Sequence, residues 1–414
     1  MLAVLRQRNF ALLWFGGLIS ITGDWALNVA LPFYVYQMTG SALATGLMFM
    51  VRTLPGVLLG SIAGVFVDRW DRRRMMVVVN LLATLLVLLL LVVRSATWLW
   101  MVYLVAFAES SIMQFFGPAE KALLPRLVAE KHLVTANSLS ALNASLGMLV
   151  GPAIGGALMG WTGLTSVVLF DSASYLIAGI MIFLISWSPE KALKKPETTG
   201  ALRIWLGIWR DWLEGLRLVR QSRPIATLFI AVTIAMLGEG IIQALLVLFV
   251  KLLKGGAAEF GWLLTLRGLG GLLGGLIFGK IGTSVQPQRL FPWTLVGMGL
   301  LLLVMFNNPV LVLALILLCL VGILAIGANA TSTTMLQNGA SDRYLGRIFG
   351  AFGMTAALMT LLGQGSASVL ADRWGVVVML NIAGGLYLLS GLIPLARLSN
   401  LRDSGVEKTE RMKT

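Results

Sequence analysis

The chain has 414 residues, of which 58% are hydrophobic and only 12% charged, and its mean hydropathy is +0.88. A water-soluble fold cannot bury that much apolar surface, so the composition excludes a soluble globular protein and indicates one that crosses a membrane many times. The net charge of +14 does not point to nucleic acid, because the lysines and arginines flank apolar runs instead of forming a basic face.

Apolar runs predict spans at roughly 10–36, 42–67, 75–94, 97–118, 138–161, 163–187, 224–250, 258–280, 290–306, 309–335, 348–370 and 376–396, each near the ~20 residues a bilayer requires. The first run contains Asp24 and lacks a small-residue cleavage site, which indicates a retained helix. The expected organisation is an N-terminal six-helix bundle (1–187), a cytoplasmic linker (188–223), a C-terminal six-helix bundle (224–397) and a tail (398–414). With the N-terminus inside, the clusters Arg69/Arg72–Arg74, Lys121/Arg126/Lys131, Lys191/Lys194/Lys195 and Arg343/Arg347 all fall on the inner side. Both termini are therefore expected in the cytoplasm of a plasma (inner) membrane. Trp98, Trp100, Trp161 and Trp374 fall at outer ends, as an aromatic belt requires. In the linker, Trp205, Trp209, Trp212, Leu216 and Val219 recur at three or four residues between charged positions. That spacing predicts an amphipathic helix on the inner membrane surface.

The turn between the second and third spans, Gly64–Arg74, reads G-V-F-V-D-R-W-D-R-R-R. Gly64 lets a neighbouring helix approach closely. Asp68 is a carboxylate at the membrane edge, suited to an arginine or a helix N-terminus. On Gly64, Asp68, Arg69, Arg72, Arg73 and Arg74 the turn resembles the loop after the second helix of the major facilitator superfamily, with Asp71 where that family usually has glycine. The resemblance implies a cytoplasmic latch formed by Gly64, Asp68, Arg69, Arg72 and Arg73. A plainer alternative is that Arg72–Arg74 serve topology alone.

The fifth span contains G-M-L-V-G-P-A-I-G-G. Its Gly147, Gly151, Pro152, Gly155 and Gly156 resemble the helix-5 motif associated with exporters of that superfamily. Three further stretches, 122–128, 212–217 and 345–349, are similar to its drug, macrolide and siderophore exporters. The resemblance implies an all-α membrane protein of twelve helices in two pseudo-symmetric bundles, carrying out secondary active transport. Gly274-x4-Gly279-Lys280 approaches a phosphate-binding loop, but Ile281 stands where a hydroxyl residue is required, so no nucleotide site is expected.

The halves repeat. An offset of 215 sets Asp24 on Glu239, Asn28 on Gln243 and Arg52 on Arg267, and an offset of 212 sets Gly151 on Gly363 and Gly163 on Gly375. Internal duplication is a signature of alternating-access transporters. Asp24, Arg52, Glu109, Asp171, Glu239 and Arg267 all fall inside spans, where a charge costs ~2.5–3.5 kcal/mol on insertion scales. Asp24, Glu109 and Glu239 are the candidate proton or cation sites, with Asn28 and Gln243 as polar cavity residues. Counting ~1.5 Å per residue from the shared outer turn puts Asp24 and Arg52 at similar depth. Two equivalent ion pairs, Asp24–Arg52 and Glu239–Arg267, are therefore expected. Asp171 is expected in a peripheral span, near the outer interface.

No nucleophile–base set is present. Lone Cys319 lies in an apolar run and lone His132 in a loop, so neither a disulfide, a metal site nor a cofactor is expected. The expected function is proton-coupled export of lipophilic or amphiphilic small molecules by a monomer in the lipid bilayer, not an enzyme. Nutrient uptake, and a non-transporting scaffold or receptor on the same fold, remain open alternatives at this level.

Overall fold

The computed structural model describes residues 2–67, 70–186, 201–281, 285–339 and 342–411. Asp68 and Arg69, the surroundings of Gly64 and part of the 188–223 linker lie outside the described residues. The described chain is helical: α1 (Leu2–Leu5), α2 (Arg8–Thr39), α3 (Ala42–Val67), α4 (Arg72–Leu88), α5 (Leu99–Met113), α6 (Phe116–Leu127), α7 (Leu133–Thr162), α8 (Leu164–Phe183), α9 (Ala201–Gln221), α10 (Arg223–Leu252), α11 (Ala257–Ile281), α12 (Pro287–Phe306), α13 (Leu311–Gly339), α14 (Asp342–Trp374) and α15 (Val376–Arg411). Among the described residues, twelve helical stretches are long and apolar enough to cross a membrane. Only helices and closed barrels satisfy every backbone polar group in lipid, so runs of this length take the helical solution. The fourth stretch joins α5 and α6.

Local sequence sets the ends. Asp71 caps α4, its Oδ1 accepting from the Arg74 backbone N–H at 2.8 Å. That use explains an aspartate where the related loops carry glycine: it satisfies one of the orphan donors of a helix N-terminus. Arg72 and Arg73 donate to the Ala122, Ile182 and Phe183 carbonyls, so they tie the start of α4 to α6 and to the end of α8. Gly163 and Gly375 join α7 to α8 and α14 to α15 with φ of 79° and 87°. An L side chain rarely tolerates that conformation, which explains why glycine holds both positions of the repeat.

The chain divides into two compact units. The first comprises Met1–Trp205 with Val250–Thr265. Within it α2 packs on α7 and α8, and α4 on α8. At one end Leu13, Met76, Val79, Leu123 and Ile182 form a core, and Phe10, Trp14, Leu124 and Leu139 a second beside it. The second comprises Leu206–Phe249 with Leu266–Thr414, where α12 packs on α13 and α15.

Glycines decide how closely helices meet. A Cβ on Gly147, Gly151 or Gly155 would meet Ile21 Cγ2 at 2.5 Å, Trp25 Cβ at 2.4 Å or the Ala26 carbonyl at 2.4 Å. This face of α7 therefore lies directly on α2. The other face of the same motif presents Gly156 and Pro152 to the first turns of α11. A Cβ on Gly156 would stand 2.6 Å from the Ala257 carbonyl, and one on Gly261 2.3 Å from the Pro152 carbonyl. The second unit repeats the device. A Cβ on Gly363 would stand 2.2 Å from the Leu237 carbonyl, as one on Gly151 would stand 2.7 Å from that of Thr22. Thr22 and Leu237 are equivalent at the 215 offset.

Candidate functional site

Each unit carries a buried cluster of charged side chains, built largely on helices that the repeat relates. In the second unit, α10 supplies Glu239 and Gln243, α11 Arg267, α14 Gln364 and α15 Tyr387. The Arg267 guanidinium lies 2.7 Å from Glu239 Oε1. Tyr387 donates to Glu239 Oε2 at 2.7 Å, and Gln243 Nε2 donates to Oε1 at 3.3 Å. Gln364 Nε2 in turn donates to Gln243 Oε1 at 3.0 Å. One carboxylate faces one guanidinium, and both carboxylate oxygens hold donors. This is the arrangement in which a buried ion pair offsets its own desolvation. Gln243, expected as a cavity residue, is engaged in this network.

The first unit corrects the expected Asp24–Arg52 pair. Arg52 on α3 pairs with Glu109 on α5, Nη1 to Oε2 at 3.3 Å, and the two side chains are 13% and 3% exposed. Asp24 on α2 is instead bonded by the Tyr175 hydroxyl of α8, which also reaches Glu109 Oε1 at 3.0 Å. Depth was matched, but α5 inserts an acid beside Arg52 that has no counterpart in the second unit, where both repeat offsets place apolar residues, Leu324 and Val321. Asp171 is likewise not at an outer interface. It is fully buried, its Oδ2 has no hydrogen-bond partner, and the charges of Asp24, Glu109 and Arg52 all act on it. Three carboxyl groups thus act on one guanidinium, only Glu109 in direct contact with it, where among the described residues the second unit has one for one.

Chemistry follows from that count. A tyrosyl hydroxyl has a single hydrogen. When Tyr175 donates it to Asp24, it can only accept from Glu109, and the reverse, so the bridge Asp24–Tyr175–Glu109 is complete only with a proton on one of the carboxyl groups. Ionised together, the three acids would leave two uncompensated negative charges in a buried site, which is costly. The site borders a cavity of about 400 Å³, lined by Gly17, Ser20, Asp24, Glu120, Asn137 and Asn143, among others. Asn143 Oδ1 is buried there without a hydrogen-bond partner. Asp24 therefore stands at the cavity wall, joined through Tyr175 to Glu109, which in turn pairs with Arg52.

Asn28 is half-buried and has no side-chain contact to this cluster among the described hydrogen bonds. Trp98, Trp100, Trp161 and Trp374 are all exposed, as lipid-facing aromatics are. Sequence reasoning missed Tyr175, Tyr387 and Gln364. The tyrosines were findable: they are equivalent at the 212 offset, a polar aromatic on a polar aromatic inside two apolar spans. Gln364 had no such signal, because Pro152 occupies its equivalent position.

The sequence model of a family described as the Major Facilitator Superfamily matches residues 13–363 and 228–413. Macrolide efflux protein A of Streptococcus pyogenes is 25% identical over 390 residues, covering 93% of this chain and 95% of its own length. Multidrug efflux pump Tap of Mycolicibacterium fortuitum is 28% identical over 375 residues, covering 88% and 90%. Among solved structures, a bacterial homologue of the iron transporter ferroportin in its inward-facing state superposes with a TM-score of 0.75 at 17% identity, covering 94% of this chain and 98% of that one.

Proposed function

This chain belongs to the Major Facilitator Superfamily, a multi-pass membrane transporter and not an enzyme, and from that premise we propose that it is a proton-coupled exporter of lipophilic or amphiphilic small molecules. Its relatives from Streptococcus pyogenes and Mycolicibacterium fortuitum, a macrolide efflux protein and a multidrug efflux pump, support export. The observation that carries proton coupling is the imbalance in the first unit: Asp24, Glu109 and Asp171 against Arg52 alone. In this reading a proton reaches Asp24 from the cavity and passes through the Tyr175 hydroxyl to Glu109. Glu109, once neutral, loosens its hold on Arg52. The swing of that guanidinium links protonation to the packing of α3, α5 and α8, and so to alternating access. Glu239 is here a structural partner of Arg267, not a second coupling acid. The protein acts as a monomer in the plasma membrane with both termini in the cytoplasm, an orientation supported by the inner placement of the lysine and arginine clusters. Gly64, Asp68 and Arg69 form the cytoplasmic latch that the turn motif implies, and Gly147, Gly151 and Gly155 give the fifth span its close-packed contact with α2.

The test is transport in liposomes loaded with an amphiphilic dye. Asp24→Asn and Glu109→Gln should abolish dye movement driven by a pH gradient while dye-for-dye exchange, which moves no net proton, persists. Gradient-driven transport at the unsubstituted rate in both variants would refute coupling at this cluster.

A further inference from the structure

The amphipathic helix α9 does more than lie beside the second unit. Trp212 Nε1 donates to Thr355 Oγ1 on α14 at 3.1 Å. Glu214 pairs with Arg347 of α14 at 3.1 Å and with Arg210 at 3.3 Å. A Cβ on Gly215 would meet the Arg347 carbonyl at 2.8 Å, so the helix backbone is seated on α14. Between α9 and α10 this leaves a groove of about 620 Å³, within the ~300–1,000 Å³ range of small-molecule sites. Its floor and walls are apolar, with Leu213, Leu216, Phe229 and Ile230 among them. Arg217 and Arg220, one turn apart on α9, are its only charged lining residues among those described.

The charges are unbalanced. Glu214 is already shared between Arg210 and Arg347, and no Asp or Glu lines the groove among the described residues. Arg217 and Arg220 make no ion pair among the described residues, and both are exposed. An apolar trough beside two adjacent guanidinium groups on an amphipathic helix matches one ligand class: a lipid with an acyl chain for the trough and an anionic phosphate headgroup for the arginines. We propose that this groove binds an anionic phospholipid, which thereby ties the linker helix to the second unit. A zwitterionic lipid offers the same chain but presents a choline or amine to the arginines beside its phosphate, so it fits the trough and not the charge. A free phosphate fits the arginines and not the trough.

Native mass spectrometry of the full-length protein, delipidated and titrated with phosphatidylglycerol, phosphatidylcholine or inorganic phosphate, distinguishes these. Phosphatidylglycerol should bind in preference to the other two. At about 1 kcal/mol per arginine, Arg217→Gln with Arg220→Gln should weaken it roughly thirtyfold. Ile230→Trp, which fills the trough and keeps both arginines, should also weaken it. Arg6→Gln with Arg8→Gln removes the same charge from exposed positions in the first unit and should leave binding unchanged. The proposal is overturned by phosphatidylcholine binding as well as phosphatidylglycerol, or by inorganic phosphate alone binding as tightly. It is equally overturned by Ile230→Trp binding normally, or by the Arg6/Arg8 control losing as much affinity as the Arg217/Arg220 variant.

Discussion

Removing one oxygen from each of two equivalent tyrosines separates structure from coupling. Tyr387→Phe deletes the 2.7 Å bond to Glu239 Oε2. Glu239 keeps Arg267 at 2.7 Å and Gln243 at 3.3 Å on its other oxygen. The loss is thus one hydrogen bond to a charged group, about 1.5–3 kcal/mol, with no change in how protons move. Tyr175→Phe deletes a comparable donated bond and costs a similar ~1.5–3 kcal/mol. It also removes the bridge between Asp24 and Glu109. Phenylalanine neither donates nor accepts, so a proton on Asp24 no longer has a path to Glu109. Thermal melts of the purified variants should therefore fall by similar amounts. In liposomes, Tyr387→Phe should keep most gradient-driven dye transport, while Tyr175→Phe should lose it and retain dye-for-dye exchange. Equal loss of gradient-driven transport in both variants, or its survival in Tyr175→Phe, would refute the relay.

The two charge clusters should respond differently to neutralisation. Glu239→Gln and Arg267→Gln each strand a buried partner and should cost about 3–5 kcal/mol, whereas Glu109→Gln should cost less, since Asp24 and Asp171 still offset Arg52; chemical unfolding in detergent gives the ranking, and equal costs for Glu109 and Glu239 would contradict it. Gly151→Val and Gly363→Val drive a side chain into a helix backbone approached to 2.7 Å and 2.2 Å, and should lower the melting point by overpacking of ~1–3 kcal/mol or more, while Gly160→Ala, whose nearest neighbour would lie at 3.8 Å, should be tolerated. Glu214→Gln removes an ion pair whose side chains are 31% and 49% exposed, so a melt should register no more than ~1 kcal/mol; a loss as large as that of Glu239→Gln would show that α9 is held chiefly by charge.

The spans were legible in sequence because lipid imposes one rule that needs no tertiary knowledge: some twenty apolar residues, all backbone bonds internal. The turn motif, the helix-5 glycines and the repeat then pointed to the family, and the two overlapping matches span nearly the whole chain. The same repeat placed Glu239 within reach of Arg267. It failed at Arg52 for a physical reason. Counting residues from a shared turn yields depth along the membrane normal, but a helix rotates about 100° per residue, and no single loop specifies which neighbour a side chain faces. Three helices besides α3 arrive at that depth in the first unit, carrying Asp24, Glu109 and Asp171, and packing alone decided that Arg52 meets Glu109 while Tyr175 bridges to Asp24. In the second unit apolar residues stand at the positions equivalent to Glu109, and Ala383 at that of Asp171, so Arg267 has a single acid to choose. Sequence therefore determined which charges are buried and, for the acids and arginines related by the repeat, that each pair shares a depth. The tertiary structure decided their partners, because partnership depends on the rotation and close approach of helices that are distant in the chain.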